Sequence, residues 1–478
     1  MDGVVGCRPG STLEDVTRRF FIRTFGCQMN EHDSERLAGL LVEDGMAPTD
    51  VLEEADVVVL NTCCIRENAD NKLYGHLGHL ASLKRERPEL QIAVTGCLSQ
   101  MDPEAIQRRA AHVDVVVGTH NLASTPVLLR RAVEEGPQLE VLDAPDPERA
   151  SDMAPALNAV RELSFAAWMT IQTGCDNSCA FCIVPSVRGG EISRPIEDLV
   201  EEAEVLAARG VREITLLGQN VNSYGRDLTK RRPMFAQLLE AVGGIEGIER
   251  VRFTSPHPKD LRPETIEAMA SVPEVCNQLH LPLQSGSDRV LAAMRRGYSA
   301  ERYLERLAAA RQAIDDLAVS TDLIVGFPGE SEEDFDETLA VVAEAGFDSA
   351  YTFIFSPRPG TRAAGMVDEF VDPERITERF ERLNAVVERS ALSKSRSRVG
   401  LVEEALVEGP SRRDPAVTTG RTRQGRPIHF RAPDAQASRP GALVEVEVTR
   451  GAPHHLEGSY RALLSASKSP RRLAVQVR

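Results

Sequence analysis

The densest chemical signal in the chain is Cys175-x-x-x-Cys179-x-x-Cys182, within the stretch TIQTGCDNSCAFCIVP. Three thiolates within eight residues can wrap one face of a cubane iron–sulfur cluster. Such clusters usually take four cysteine ligands. Three ligands leave one iron open to a small chelating molecule. A zinc knuckle is the competing reading. Zinc wants a fourth Cys or His at short spacing, and the nearest candidates, His257 and Cys276, are far off in sequence.

A second set of thiols follows from the elements that carry them. An apolar run at residues 20–25 ends in Gly26-Cys27, and another at 57–60 ends in Asn61-Thr62-Cys63. A third at 92–95 ends in Gly96-Cys97, and residues 113–117 read as a further strand. Helical stretches at 34–43 and 68–83 lie between them. This alternation predicts a parallel sheet with crossover helices. Residues just after each strand then gather along one sheet edge, where open α/β folds bind ligands. The topology therefore predicts that Cys27, Cys63 and Cys97 converge, although three buried structural cysteines would read the same in isolation. Of the others, Cys64 adjoins Cys63 but diverges from it, Cys7 precedes the first element, and Cys276 begins a barrel strand as a core residue.

The β/α pattern resumes after a segment rich in Pro, Asp, Glu and Ala. Candidate strands lie at 168–172, 213–217, 250–254, 277–281, 320–325 and 350–355, and helices at 196–209, 234–242, 303–315 and 332–345. Six units in about 220 residues fall short of the roughly 250 of a full eight-unit barrel, so a six-unit partial barrel is expected. The last hundred residues lose the helical period and read as a small β-barrel. The fold class is thus α/β with a C-terminal β-barrel. The parts are an N-terminal domain at 18–131, a linker at 132–160, a central (β/α)6 partial barrel at 161–395, the β-barrel at 396–466 and a loose tail at 467–478.

Length and composition agree with this layout. The chain has 478 residues, 42% of them hydrophobic and 27% charged. That suggests about three domains of a globular protein. No window approaches the ~18 apolar residues of a membrane span, and the start lacks a signal-peptide core, so a cytoplasmic protein is expected. Nine cysteines, an odd number, suit thiols and metal ligands better than a disulfide framework. The formal net charge of −16 does not mark a nucleic-acid binder overall. A local basic stretch stands against that total: Arg412, Arg413, Arg421, Arg423, Arg426 and Arg431, with one acid, Asp414. Small β-barrels with basic loops suit RNA backbones, while a solvated Arg face is the plainer reading.

The cysteine triplet resembles the signature of the radical S-adenosylmethionine superfamily. TFGCQMN at 24–30, Asn61-Thr62-Cys63 and Thr95-Gly96-Cys97 resemble the N-terminal domain of its methylthiotransferases. LGQNVNSY at 217–224, SPHP at 255–258, HLPLQSGSD at 280–288 and TDLIVGFPGE at 321–330 are similar to the branch acting on isopentenylated tRNA. The resemblance runs from about residue 20 to 465 in the family's order, and the C-terminal segment resembles a TRAM domain.

The resemblance implies two [4Fe–4S] clusters. Cys175, Cys179 and Cys182 would hold one, whose open iron chelates the amino and carboxylate groups of S-adenosylmethionine. An electron from it then splits the sulfonium to give a 5′-deoxyadenosyl radical. Cys27, Cys63 and Cys97 would hold the other, whose open iron carries the sulfur. The implied reaction adds a methylthio group at C2 of N6-isopentenyladenosine next to the anticodon and uses two S-adenosylmethionine. That C2–H is neither acidic nor electrophilic, so a hydrogen-atom abstractor is needed. The implied partners are the tRNA anticodon stem-loop, a flavodoxin- or ferredoxin-type electron donor and sulfur or cluster assembly proteins. A monomer without membrane contact is expected.

Further site residues are read individually. Gln219 and Ser255 follow barrel strands at the functional face and are candidates for S-adenosylmethionine contact. Gly189-Gly190-Glu191 reads as a turn. Gly326 reads as a strand-to-helix turn with backbone contact to the cofactor, Ser331 capping the next helix with Asp334 at N3. His257 and His280 read as hydrogen-bonded structural residues. Two rivals remain. One keeps the chemistry but acts on threonylcarbamoyl-adenosine in tRNA or on a ribosomal-protein aspartate. The other is a non-catalytic, zinc-binding RNA-binding protein.

Overall fold

The computed structural model describes residues 17–63, 67–142, 159–161, 163–230 and 232–468. Cys7, Cys64 and most of the expected linker and tail lie outside these residues.

The N-terminal part is built from β1 (Arg19–Phe25), α1 (Gln28–Glu43), β2 (Ala47–Pro48), β3 (Val57–Thr62), α2 (Glu67–Glu86), β4 (Gln91–Gly96), α3 (Cys97–Met101), α4 (Pro103–Arg109), β5 (Val115–Val117), α5 (Thr125–Glu135) and β6 (Gln138–Glu140). The six strands form one parallel sheet in the order β2-β1-β3-β4-β5-β6. Their sequences are continuous apolar runs because both faces are covered. Val58, Leu60, Ile92 and Val94 pack on α2 through Leu73, Leu77 and Leu80. Val57, Val59 and Ala93 pack on Leu37, Leu41 and Leu128 from α1 and α5. One expectation is corrected here. Residues 132–140 do not begin a linker: they finish α5 and add the sixth strand, whose Leu139 pairs beside Val116.

The central part comprises β7 (Ala166–Thr170), β8 (Gln172–Thr173), α6 (Val184–Arg188), β9 (Ile192–Ser193), α7 (Ile196–Ala208), β10 (Glu213–Leu217), α8 (Arg226–Thr229), α9 (Phe235–Gly243), β11 (Arg250–Phe253), α10 (Pro263–Ser271), β12 (Gln278–His280), α11 (Asp288–Ala293), α12 (Ala300–Ala313), β13 (Ala318–Val325), α13 (Glu332–Ala345), β14 (Ser349–Ile354) and α14 (Pro373–Arg396). Strands β7, β10 and β11 form one parallel ladder, and β12, β13 and β14 another. A single parallel bridge, Val251 to Val275, joins the two into a six-strand partial barrel. Ser331 caps α13 as read from sequence: its Oγ accepts from the Asp334 N–H at 3.2 Å, and the Asp334 carboxylate accepts from the Ser331 N–H at 2.8 Å.

The last part is a closed barrel of β15 (Val402–Pro410), β16 (Thr418–Thr422), β17 (Pro427–Phe430), β18 (Leu443–Gly451) and β19 (Leu456–Ser465). Buried arginines fasten it beneath the central barrel. Arg212 donates to Ser465 Oγ and Ala466 O, both at 2.6 Å. Arg250 reaches Arg421 O at 2.7 Å and Glu404 Oε1 at 2.8 Å. Arg252 reaches Thr422 O at 2.8 Å. A guanidinium has five donors in a planar fork, so one side chain can satisfy several carbonyls at a seam. Among the described residues no helix is long and apolar enough to cross a membrane.

Candidate active site

Three cysteines stand just past the carboxyl ends of β1, β3 and β4. The strands are in register there: Phe25 pairs with Thr62, and Thr62 with Gly96. Cys63 and Cys97 are the next residues, and Cys27 follows Phe25 after one glycine. Neighbouring strands stand about 4.8 Å apart, so the three backbones reach the sheet edge side by side. The β1–β3 boundary is also where the strand order reverses, the point at which open α/β sheets bind ligands.

Local packing fixes this edge. Asn61 is fully buried; its Nδ2 donates to Asn30 O at 2.8 Å and Ser34 Oγ at 2.9 Å. The Asn30 amide returns a bond to Asn61 Oδ1 at 3.0 Å. The first turn of α1, next to Cys27, is thereby tied to β3, which ends at Cys63. Gly96 has φ 98°, and a Cβ there would strike the Thr62 carbonyl, so only glycine fits.

The edge is also electrostatically prepared. A hydrogen bond with Cys63 and the nearby Arg188 charge lower the Cys27 thiol to about 6, against the opposing effect of burial. Sequence reasoning missed Arg188. It comes from α6 of the central part, yet its Nη2 donates to Asp33 Oδ2 of α1 at 2.7 Å, with both side chains buried. Its only sequence signal is its place six residues after Cys182.

The second thiol set lies on a loop closed by the β8–β9 hairpin, where Gln172 pairs with Ser193. The Cys175 N–H donates to Gly189 O at 3.0 Å, and Cys182 N–H to Cys179 O at 3.1 Å. Gly174 has φ 76°, and a Cβ there would run into the Gly190 carbonyl. Gly189-Gly190-Glu191 therefore braces the loop as a turn. Arg296 Nη1 donates to Cys179 Sγ at 3.3 Å. Burial pushes Cys182 up to about 12, and the neighbouring thiols of Cys179 and Cys175 add to the rise. Burial likewise raises Cys175.

Among the described residues no three His, Cys, Asp or Glu side chains converge tightly enough for one metal ion. A zinc ion draws its thiolates in to about 2.3 Å from itself. A four-iron core puts each ligand on a different iron and so takes a wider set. Each triplet offers thiolates, the donors that hold four-iron cores.

These thiol states give a labelling prediction for the metal-free chain. Cys27 and Cys182 are both partly exposed. The thiolate is the nucleophile, so at about pH 7.5 iodoacetamide is expected to modify Cys27 well ahead of Cys182. Peptide mass spectrometry reads the order; faster labelling of Cys182 would contradict it.

The remaining expected residues separate cleanly. Both amide atoms of Gln219, at the end of β10, are buried without a hydrogen-bond partner. Buried polar groups nearly always have one. Ser255 is exposed, with φ 60°. Gly326 makes the expected turn: its N–H donates to Glu330 Oε2 at 2.9 Å, and a Cβ would point at Ile376. His257 is held neutral, its pKa lowered to about 2 by burial and then by the Arg296 charge. Its Nδ1 accepts from the Lys259 N–H. His280 bonds to Ser320 Oγ at 2.9 Å. Cys276 is buried as core.

The basic stretch is corrected in part. Arg426 is buried and donates to Ser395 Oγ at 2.7 Å and Asp348 Oδ1 at 2.6 Å. Arg423 bonds to the Pro273 and Val275 carbonyls. Arg421 bonds to Glu408 at 2.6 Å and to Gly425 O at 3.1 Å. All three fasten the seam or the barrel itself. Arg412 and Arg413 are exposed.

A cavity of about 1080 Å³ lies where the three parts meet. Thr24 and Gln28 beside Cys27, Trp168 and Thr254 of the central barrel, and Gln424 of the last barrel line it. None of the six cysteines does.

The chain is similar to known proteins along most of its length. The family model described as Radical SAM superfamily matches residues 169–342, and that described as Uncharacterized protein family UPF0004 matches 19–118. A tRNA-2-methylthio-N(6)-dimethylallyladenosine synthase of Nocardia farcinica is 53% identical over 449 residues, covering 92% of this chain and 88% of its own. Proteins of the same name from Streptomyces viridosporus (53% identical, 93% and 88% covered) and, numbered 1, from Mycobacterium marinum (50%, 95% and 89%) are also similar. Among solved structures, a radical S-adenosylmethionine methyltransferase, TsrM, from Kitasatospora setae shares the fold at TM-score 0.52 and 13% identity, over 73% of this chain and 75% of that one.

Proposed function

The chain belongs to the tRNA-2-methylthio-N6-dimethylallyladenosine synthases, within the radical S-adenosylmethionine enzymes, and from that premise we propose how its residues divide the work. The enzyme methylthiolates C2 of N6-isopentenyladenosine in tRNA, using S-adenosylmethionine and [4Fe–4S] clusters. Cys175, Cys179 and Cys182 hold the radical-generating cluster. Cys27, Cys63 and Cys97 hold the auxiliary, sulfur-bearing one. When bound, the first cluster with S-adenosylmethionine supplies a radical able to take the C2 hydrogen, and the second supplies the sulfur.

The observation that carries this reading is the register of β1, β3 and β4, which brings three distant cysteines to one sheet edge, on the side of the loop that carries the other three. The side chains around them position and exclude water. Asn30 and Asn61 lock the auxiliary edge, and Arg296 sets a cation against Cys179. Gln219 offers two donors and an acceptor to S-adenosylmethionine; Ser255 is a second contact. The cavity is wide enough for a nucleoside; Thr24 and Gln28 border it near Cys27, and Thr254, next to Ser255, borders it from the central barrel. The target base sits in a single-stranded loop, so presenting it costs little unstacking. Arg412 and Arg413 of the TRAM-like barrel meet the RNA backbone. A flavodoxin- or ferredoxin-type protein provides the electron, assembly proteins provide sulfur, and the enzyme works as a cytoplasmic monomer. The three functional parts span residues 18–140, 161–395 and 396–466.

Replacing Gln219 with Ala is expected to weaken S-adenosylmethionine binding about tenfold, the worth of one buried hydrogen bond. Equilibrium dialysis against the reconstituted enzyme reads this, and iron content should not change. The substrate is tested by nucleoside mass spectrometry. Anaerobic enzyme is given tRNA carrying either N6-isopentenyladenosine or threonylcarbamoyl-adenosine. Methylthio product from the first alone is expected; product from the second alone would move the enzyme to the other branch.

A further inference from the structure

Arg188 is the feature that the assigned ligands leave unexplained. It ends α6, in the segment that follows the radical-site cysteines, yet its charge acts on the other site. The guanidinium is buried against Asp33 at 2.7 Å, on the helix that starts beside Cys27, and the preceding residue, Val187, packs in one apolar cluster with Cys97. The same turn is pinned by Thr119 Oγ1, which donates to Val187 O at 2.8 Å. Burying an arginine costs several kcal/mol even when it is paired, and an apolar side chain would fasten the seam without that penalty. Asp33 offsets Arg188 as a pair, yet the Arg188 charge still lowers the Cys27 thiol. Cluster potentials follow net charge and hydrogen bonding near the sulfurs.

We propose that Arg188 is a positioning residue of the sulfur-bearing site: held by Asp33, it sets a fixed positive charge against Cys27 and Cys97 and raises the reduction potential of the auxiliary cluster. This rests on the assignment of Cys27, Cys63 and Cys97 to that cluster. It also makes the site incomplete until the central part is docked, because the cation comes from the neighbouring domain.

The test uses the full chain with Cys175, Cys179 and Cys182 replaced by Ala, so that only the auxiliary cluster gives a signal. Arg188→Gln and Arg188→Lys are reconstituted anaerobically and titrated by redox-poised electron paramagnetic resonance. At the parent's midpoint, R188Q is expected to show at least a tenfold lower ratio of reduced to oxidised cluster, a shift of about 59 mV for one electron. R188K is expected to stay within about threefold of the parent. If R188Q fails to load iron while R188K loads with the parent's potential, the charge is again responsible. An unshifted potential in loaded R188Q overturns the proposal, as does equal failure of both variants to load. A parent chain with no four-iron signal overturns the cysteine assignment itself, and the proposal with it.

Discussion

Replacing Cys97 with Ala is expected to cut the iron of the reconstituted enzyme from about eight to about four per chain. Methylthiolated tRNA should fall below one hundredth of the parent's, while S-adenosylmethionine cleavage persists. The expectation follows from how the edge is built. Cys97 is the first residue past Gly96, whose partner in the ladder is Thr62, and it is buried. Among the described residues three cysteines stand at this edge, so losing one leaves two. The radical-site loop is hydrogen-bonded within its own hairpin, so its cluster should assemble regardless. Cys179→Ala is expected to do the reverse: four irons remain, but cleavage stops. Loss of cleavage in C97A would mean that the two sites do not assemble independently.

Replacing Arg250 with Met is expected to destabilise the protein by about 3 kcal/mol, the low end for breaking a buried ion pair. Arg250 is 1% exposed and bonds to Glu404 and to the Arg421 carbonyl across the seam. Methionine fills much of the volume but leaves the Arg421 carbonyl without this donor and Glu404 with only the longer Arg423 contact at 3.9 Å. Glu404 is one-third exposed and regains some water, which places the effect at the low end. The control is Arg431→Met. Arg431 faces Asp414 at 3.7 Å with both side chains largely exposed, and such a pair is worth about 0–1 kcal/mol. Urea denaturation followed by the single tryptophan, Trp168 in β7, reads both variants. Equal midpoints for the two would show that the seam carries no load.

Much of this was legible in one dimension. A parallel sheet needs both faces covered, so its strands read as apolar runs, and the residue after each run had to lie on one edge. That is enough to bring Cys27, Cys63 and Cys97 together without knowing the register. The radical-site triplet needed even less, since its three thiols share one loop. The Ser331–Asp334 capping box was equally local. What stayed hidden depends on pairs across long separations. Arg188 and Asp33 are 155 residues apart, and nothing in either neighbourhood announces the other. The basic stretch misled for the same reason. Arg423 and Arg426 look free until the floor of the central barrel supplies Pro273, Val275 and Asp348 as partners, and Arg421 until Glu408 of its own barrel pairs with it. Helix α14 escaped because its buried stripe, Arg379, Leu383, Val387, Ala391 and Ser395, begins and ends in polar residues. Arg379 is accommodated there by Glu330 at 3.0 Å, a partner from the turn that Gly326 makes.

The central claim is that one chain carries two four-iron clusters, each held by three cysteines. Iron and acid-labile sulfide analysis after anaerobic reconstitution tests it most directly. About eight irons and eight sulfides per chain are expected, falling to about four of each when either cysteine triplet is replaced by Ala. Stoichiometric zinc without sulfide, or four irons that vanish with one triplet and ignore the other, would contradict it.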